Sequence, residues 1–181
     1  ALDRVERARR RAPARVSGRP RRPAEGAPVH VLDLWQRLAP LPLGRRLFGR
    51  VVCWRAPYFA TIRPEFLELG ATACVARVRH RRAVQNHIGT VHAIAMANLC
   101  ELAAGVLTEA AVPRSMRWIP RGMTIEYLAR AETDVVGTAR LDKSTWGAAE
   151  DVAVPVSVTD ARGREVVRAT ISMYVSPRRA S

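Results

Sequence analysis

The 181-residue sequence predicts an α+β domain in which a curved antiparallel sheet of about six strands wraps around one long helix. Three observations lead there. Hydrophobic residues make up 48% of the chain and charged residues 25%, ordinary for a globular domain long enough to bury a core without staples. Thr90–Leu107 is almost continuously apolar or small and contains no proline, so it is too long for a strand and suits a helix. After Pro113 apolar residues alternate with period two as far as Val175, the pattern of half-buried strands.

Taken in order, residues 1–30 carry nine arginines against three acids, with Pro13, Pro20, Pro23 and Pro28. They read as a disordered Arg/Pro-rich extension, and residues 31–181 as a single domain. Asp33 can cap a short helix that runs to Leu38 and is ended by Pro40 and Pro42. Leu43–Trp54 suits a second short helix with one apolar face. Tyr58–Ile62 reads as a strand stopped by Pro64, and Ala71–Arg79 as an alternating strand. Thr90, following Gly89, is placed to cap the long helix, in which Ala93, Ala97, Cys100 and Ala104 share an arc of about 60° that a sheet can approach closely. Such a helix, apolar all round, should be buried on most sides.

Four consecutive strands follow: Arg117–Ala129, Thr133–Asp142, Asp151–Thr159 and Glu165–Val175. Pro155 places the third at an edge or a bulge. Asp160–Gly163 makes a tight hairpin into the fourth. A sheet of this kind has an open edge, which invites pairing with a second copy.

Composition excludes several functions. No window approaches the roughly 18 uninterrupted apolar residues of a spanning helix. Cys53, Cys74 and Cys100 are odd in number and form no CxxC pair, which argues against a disulfide framework or zinc site and suits a reducing cytoplasm. The formal net charge is +14, with Lys143 the only lysine. Such a surplus attracts polyanions. Yet aromatics are only 6%, and no basic strand interleaves them, so specific nucleic-acid recognition is not expected.

Chemistry concentrates between Gln85 and Glu101. A carboxylate in an otherwise apolar helix is costly unless paired or used, and burial would push its pKa up towards the range of a general base. At the helix start, the N–H groups of Val91, His92 and Ala93 lack intrahelical partners and suit a developing oxyanion. Glu101 lies about three turns on, roughly 13 Å from Val91–His92, too far for both to act on one carbonyl within a single chain. A second copy packed antiparallel would bring them together. Asn86 can orient a carbonyl or a water, or simply cap the turn. His87 and His92 are five apart rather than four, and nothing completes a ligand set, so no metal is expected.

This pattern resembles the hotdog-fold acyl-CoA thioesterases, in particular the phenylacetate-pathway type and a related uncharacterised hotdog branch. Those proteins carry an Asn, a Gly and a His-Gly at the start of the central helix, then an Asp or Glu nine residues after the His. The matching positions here are Asn86, Gly89, His92 with Ala93, and Glu101. The order of elements fits from about residue 58 to 175, and Met123–Ala131 is similar to the family's strand after the helix. Two departures stand out: Ala93 replaces the usual Gly, and Ile119 and Pro120 occupy the place where some relatives put a Ser or Thr.

The resemblance implies hydrolysis of an acyl-CoA thioester, in fatty acid metabolism, at the interface of a homodimer or homotetramer. The Ala93 amide, with His92 and Gly89 beside it, would polarise the carbonyl. Glu101 of the other subunit would activate water or attack directly, and Asn86 would orient. Thr90 would lie against the substrate, and Arg114, Arg117, Arg121 and Lys143 would bind CoA phosphates. CoA would be part of the substrate, and no separate cofactor is implied. The alternative is a hotdog protein that binds an acyl-CoA or acyl carrier without turnover.

Overall fold

A computed structural model describes residues 30–178. The extension expected over residues 1–30 therefore lies, except for His30, outside the described residues. Two short helices come first, α1 (Val31–Leu38) and α2 (Gly44–Arg55), then a 3-10 turn at Pro57–Thr61. Strands β1 (Glu65–Leu69) and β2 (Ala73–Val78) lead through a second 3-10 turn, Arg82–Val84, to the long helix α3 (Ala93–Ala111). Strands β3 (Met116–Tyr127), β4 (Val135–Arg140), β5 (Glu150–Asp160) and β6 (Glu165–Pro177) complete the chain.

The strands form one antiparallel sheet in the order β1-β2-β4-β5-β6-β3, wrapped around α3. Although β3 precedes β4 in sequence, it lies beyond β6, so β4 can pair with β2 and, of the four strands after α3, only β4, β5 and β6 sit in sequential order. The two edges are β1 and β3. Leu99 of α3 packs against Gly137 of β4 so closely that a Cβ there would sit 2.9 Å from the leucine Cγ. Fully buried Leu102, Leu107, Val154, Ile171 and Met173 continue this layer.

Several expectations need correction. Tyr58–Ile62 is not a strand: Pro57 opens a 3-10 turn there, and the Thr61 hydroxyl donates to the Tyr58 carbonyl at 2.7 Å. The strand lies just after Pro64, as β1, whose five residues EFLEL are too few to show clear periodicity. Asp33 sits in the first turn of α1 rather than at its cap, which is His30, and its carboxylate accepts from Arg114 at 2.8 Å. Pro155 lies on β5, inside the sheet rather than on an edge strand. Its missing N–H is nonetheless tolerated, because pairing with β4 stops at Ala139–Val156, so among the described residues Glu150–Pro155 has only β6 beside it. The true edge proline is Pro120 of β3, next to a bulge at Arg121.

Helix α3 differs too. Its cap is His92, not Thr90, and it is not apolar all round. Ile94, Glu101 and Glu109 are exposed along one face, with Ala97 and Gly105 half-buried between them. By length and mean hydropathy (1.3) this helix could span a bilayer, but most of it is buried in its own fold. Helices α1 and α2 join the same core through an aromatic chain, Trp35–Phe48–Phe66, with edge-to-face centroid distances of 5.1 and 4.9 Å. The Asp160–Arg164 hairpin forms as expected, with Gly163 at φ 77° and Asp160 Oδ1 accepting from the Arg162 and Arg164 amides.

Candidate functional site

The start of α3 is a tightly bonded turn. Asn86 Oδ1 accepts from the Ile88 and Thr90 amides, each at 3.1 Å, and its Nδ2 donates to Thr90 Oγ1 at 2.8 Å. The Asn86 amide donates to the Thr90 carbonyl at 2.9 Å. Gly89 takes the left-handed φ of 81° that closes this loop, and His80 Nε2 donates to its carbonyl at 2.8 Å. Asn86 and buried Thr90 are thus the organisers of a turn, with most of their polar atoms already satisfied.

The amides expected to be free are mostly engaged. Val91 N–H donates to the Ala131 carbonyl and His92 N–H to the Val84 carbonyl, both at 2.8 Å. Ile94 N–H donates to His92 Nδ1 at 3.0 Å. Among the described residues only the Ala93 N–H of this group has no partner. These two long-range bonds tie the helix start to the segments before and after α3 and leave the Ala93 N–H as the unpartnered donor at its positive end.

Glu101 is exposed, contrary to the expectation of a buried acid. It sits at the rim of a cavity of about 340 Å³. The walls are aliphatic: Val31 and Leu34 of α1, Val51 and Val52 of α2, Leu102 and Val106 of α3. Arg55 and Glu109 are the other charged residues on it. Trp118 of β3 closes one side, its Nε1 donating to Glu109 at 2.6 Å. That ring lies over α3 where Gly105 leaves room: a Cβ at 105 would stand 3.3 Å from it. Pro120 lies on the same wall, so the strand offers no hydroxyl beside Glu101. Ala93 and Glu101 are eight residues apart on α3, about 12 Å, so one chain does not bring them together.

The four cations expected to hold phosphates are engaged locally. Arg114 pairs with Asp33 at 2.8 Å, Arg121 with Asp151 at 3.0 Å, and Lys143 with Glu150 at 3.0 Å. Arg117 donates to Ser176 Oγ at 3.3 Å, and Arg121 also lies 3.8 Å over the Tyr174 ring. Burial pushes the Cys100 thiol, next to Glu101, up to about 12, so it supplies no thiolate nucleophile. Among the described residues no three His, Cys, Asp or Glu side chains are grouped to hold a metal.

Two further polar residues, Tyr127 and Asn98, were not among the expected site residues, although Asn98 stands out in the sequence as one of the few polar positions inside the long helix. The Tyr127 hydroxyl donates to the Ala93 carbonyl at 3.3 Å, placing a phenol beside the free amide; burial, with Cys100 nearby, raises its pKa. Asn98 donates to Thr61 Oγ1 at 3.2 Å, while its buried Oδ1 has no partner. A lone Asn in an apolar helix was the available signal for the second. Nothing local marks the first, because β3 meets α3 only in the folded chain.

Comparison with known proteins agrees with this architecture. A structural-genomics target, APC5556, is 42% identical, with a TM-score of 0.74 over 83% of this chain and 100% of its own. A Pseudomonas aeruginosa protein of unknown function, titled a probable thioesterase, is 19% identical, with a TM-score of 0.66 over 76% of this chain and 97% of its own. A thioesterase family protein from Silicibacter pomeroyi is 16% identical, with a TM-score of 0.62 over 76% and 100%. No curated protein matches the sequence. The model of the DUF4442 family, described as a domain of unknown function, matches residues 44–175. The chain is thus a hotdog-fold protein and belongs to the DUF4442 family.

Proposed function

We propose that this protein hydrolyses acyl-CoA thioesters at an interface between two copies of itself. The observation that carries this reading is the placement of Glu101, a carboxylate with no ion-pair partner among the described residues, on the rim of an aliphatic cavity in a hotdog fold. The acyl chain would occupy the cavity, which offers it little else than apolar wall. The thioester carbonyl would accept from the Ala93 N–H of the second copy, whose helix start carries partial positive charge. Glu101 would take a proton from water as the water adds to that carbonyl and pass it to the sulfur as the C–S bond breaks, so that CoA leaves as the thiol and the acyl group as the free acid. If Glu101 attacks directly, the C–S bond breaks to leave an acyl–Glu101 anhydride and a CoA thiolate that takes a proton from solvent, and water then cleaves the anhydride to the free acid. The free edge of β3 gives a second copy somewhere to pair. The solved hotdog relatives titled thioesterases support the reaction class.

Two substitutions test it. Glu101→Gln removes the base from an exposed position, so folding should persist while thiol release from an acyl-CoA panel falls 10²- to 10⁴-fold, the span of general-base contributions. Ala93→Pro removes only the free amide. Residue 93 is the first helical position, and His92 already has the extended backbone (ψ 138°) that precedes proline. Mixed in one assembly, the two inactive variants should restore part of the activity, because one hybrid site keeps both groups. Saturable acyl-CoA binding without release by the unaltered protein would instead establish a non-catalytic binder.

A further inference from the structure

The charge of the described chain is divided unevenly. Residues 30–92 hold ten arginines against three acids, whereas residues 93–178 hold ten basic and ten acidic side chains. The basic half also exposes large apolar side chains within a short stretch: Leu41, Leu43, Leu47, Trp54 and Tyr58. Trp54 is 80% exposed and Leu43 70%, unusual for residues of their size. At 100° per residue Leu47, Arg50 and Trp54 share an arc of about 60° on α2 and span about 10 Å along it, and exposed Leu43, whose left-handed backbone (φ 61°) starts the helix, precedes them. Arg46 flanks this stripe, while fully buried Phe48 anchors the other side of the helix to Trp35 and Phe66. The helix carries four arginines and no acid.

We propose that this face of α2 seats the protein on an anionic lipid bilayer, with Leu43, Leu47 and Trp54 in the headgroup boundary and Arg46 and Arg50 on lipid phosphates. Leucine and tryptophan beside arginine is the chemistry of an interfacial helix, and long arginine side chains reach the headgroups while their stems stay apolar. Charge complementarity selects this occupant. A second copy seated on the same stripe would set arginines against arginines with no acid on either helix. A nucleic acid would satisfy the arginines but leave three leucines without a partner. The proposal is independent of the reaction assigned above, because no residue of the stripe belongs to the Glu101–Ala93 machinery.

Vesicle co-sedimentation of the full chain tests it, using phosphatidylcholine with and without phosphatidylserine at two salt concentrations. The unaltered protein should bind the phosphatidylserine vesicles at least tenfold better, less so at high salt. Leu47→Ser with Trp54→Ser should lower that binding about tenfold or more. Arg46→Gln with Arg50→Gln should lower it by a similar factor, at about fivefold per arginine near the surface, and reduce the phosphatidylserine preference. All four positions are exposed, and unchanged circular dichroism and melting would verify folding. No vesicle binding, or binding that neither pair alters, overturns the proposal; the latter would assign the attraction to other arginines. A fall in oligomer mass with vesicle binding intact would give the stripe to a second copy. Lost affinity for DNA or RNA with vesicle binding intact would give it to nucleic acid.

Discussion

The start of α3 and its middle make an instructive contrast. Around Asn86–His92 the polar groups of Asn86, Gly89 and Thr90 and the Val91 and His92 amides are satisfied within the chain, by bonds among themselves and to Val84, Ala131 and His80. Between two and three turns later Glu101 stands open beside an aliphatic void, with no ion-pair partner among the described residues. One region is largely finished by folding; the other is left open, as the proposed function requires. Changes in the bonded turn at Asn86–Thr90 should therefore damage stability as well as activity, whereas changes at Glu101 should damage activity alone.

The largest expected effect is the 10²- to 10⁴-fold loss in kcat for Glu101→Gln with an unchanged melting temperature. A matching loss of stability would show that Glu101 is structural and would erase the contrast. Next, Ala93→Pro should lower kcat by about 10²- to 10³-fold, the cost of one oxyanion donor, while the chain still folds. Asn86→Ala should behave differently, losing about 1–2 kcal/mol in denaturant unfolding because three bonds of the turn go with it. Should Asn86→Ala leave stability intact and abolish turnover, the residue acts on substrate and the helix start is less complete than its bonds suggest.

A smaller effect sharpens the comparison at the far edge of the sheet. Burial alone would raise the Glu65 carboxyl, but hydrogen bonds and charge from Arg77 and Arg79 hold it below the usual carboxylate range. A lowered folded pKa means the stabilisation is present above the unfolded value, near about 4.3, and is lost as pH falls through the folded one. Glu65→Gln should thus cost about 1 kcal/mol at neutral pH and little in acid, read from unfolding midpoints across that window. A loss that is equal at both pH values would remove the ion pairs as its cause.

Much of this architecture was legible from residue pattern. Period-two alternation located β3 to β6 within two residues or so of their ends, and the proline-free apolar run located α3. The outward aim of Glu101 was not legible, because alanine and glycine count as apolar on either side of a helix. Ala97 and Gly105 on the open face made α3 look uniformly buried. Nor could sequence show that the Val91 and His92 amides are taken, since their acceptors, Ala131 and Val84, lie on other segments. The spacing of Asn86, Gly89, His92 and Glu101 identified the neighbourhood; which groups remain free in it is a property of the folded chain.

Trp118, Pro120 and Met173 of the sheet close the void on one side, and the rest of its wall comes from two stretches. Val31, Leu34, Val51, Val52 and Phe59 belong to the segment ahead of the sheet, while Leu102, Val106 and the acid belong to the central helix. If the void receives the acyl group as proposed, trimming or enlarging the first group would change how long or branched a guest fits while Glu101 keeps its place on α3. On that reading selectivity would be set by the leading segment, apart from the helix that carries the acid.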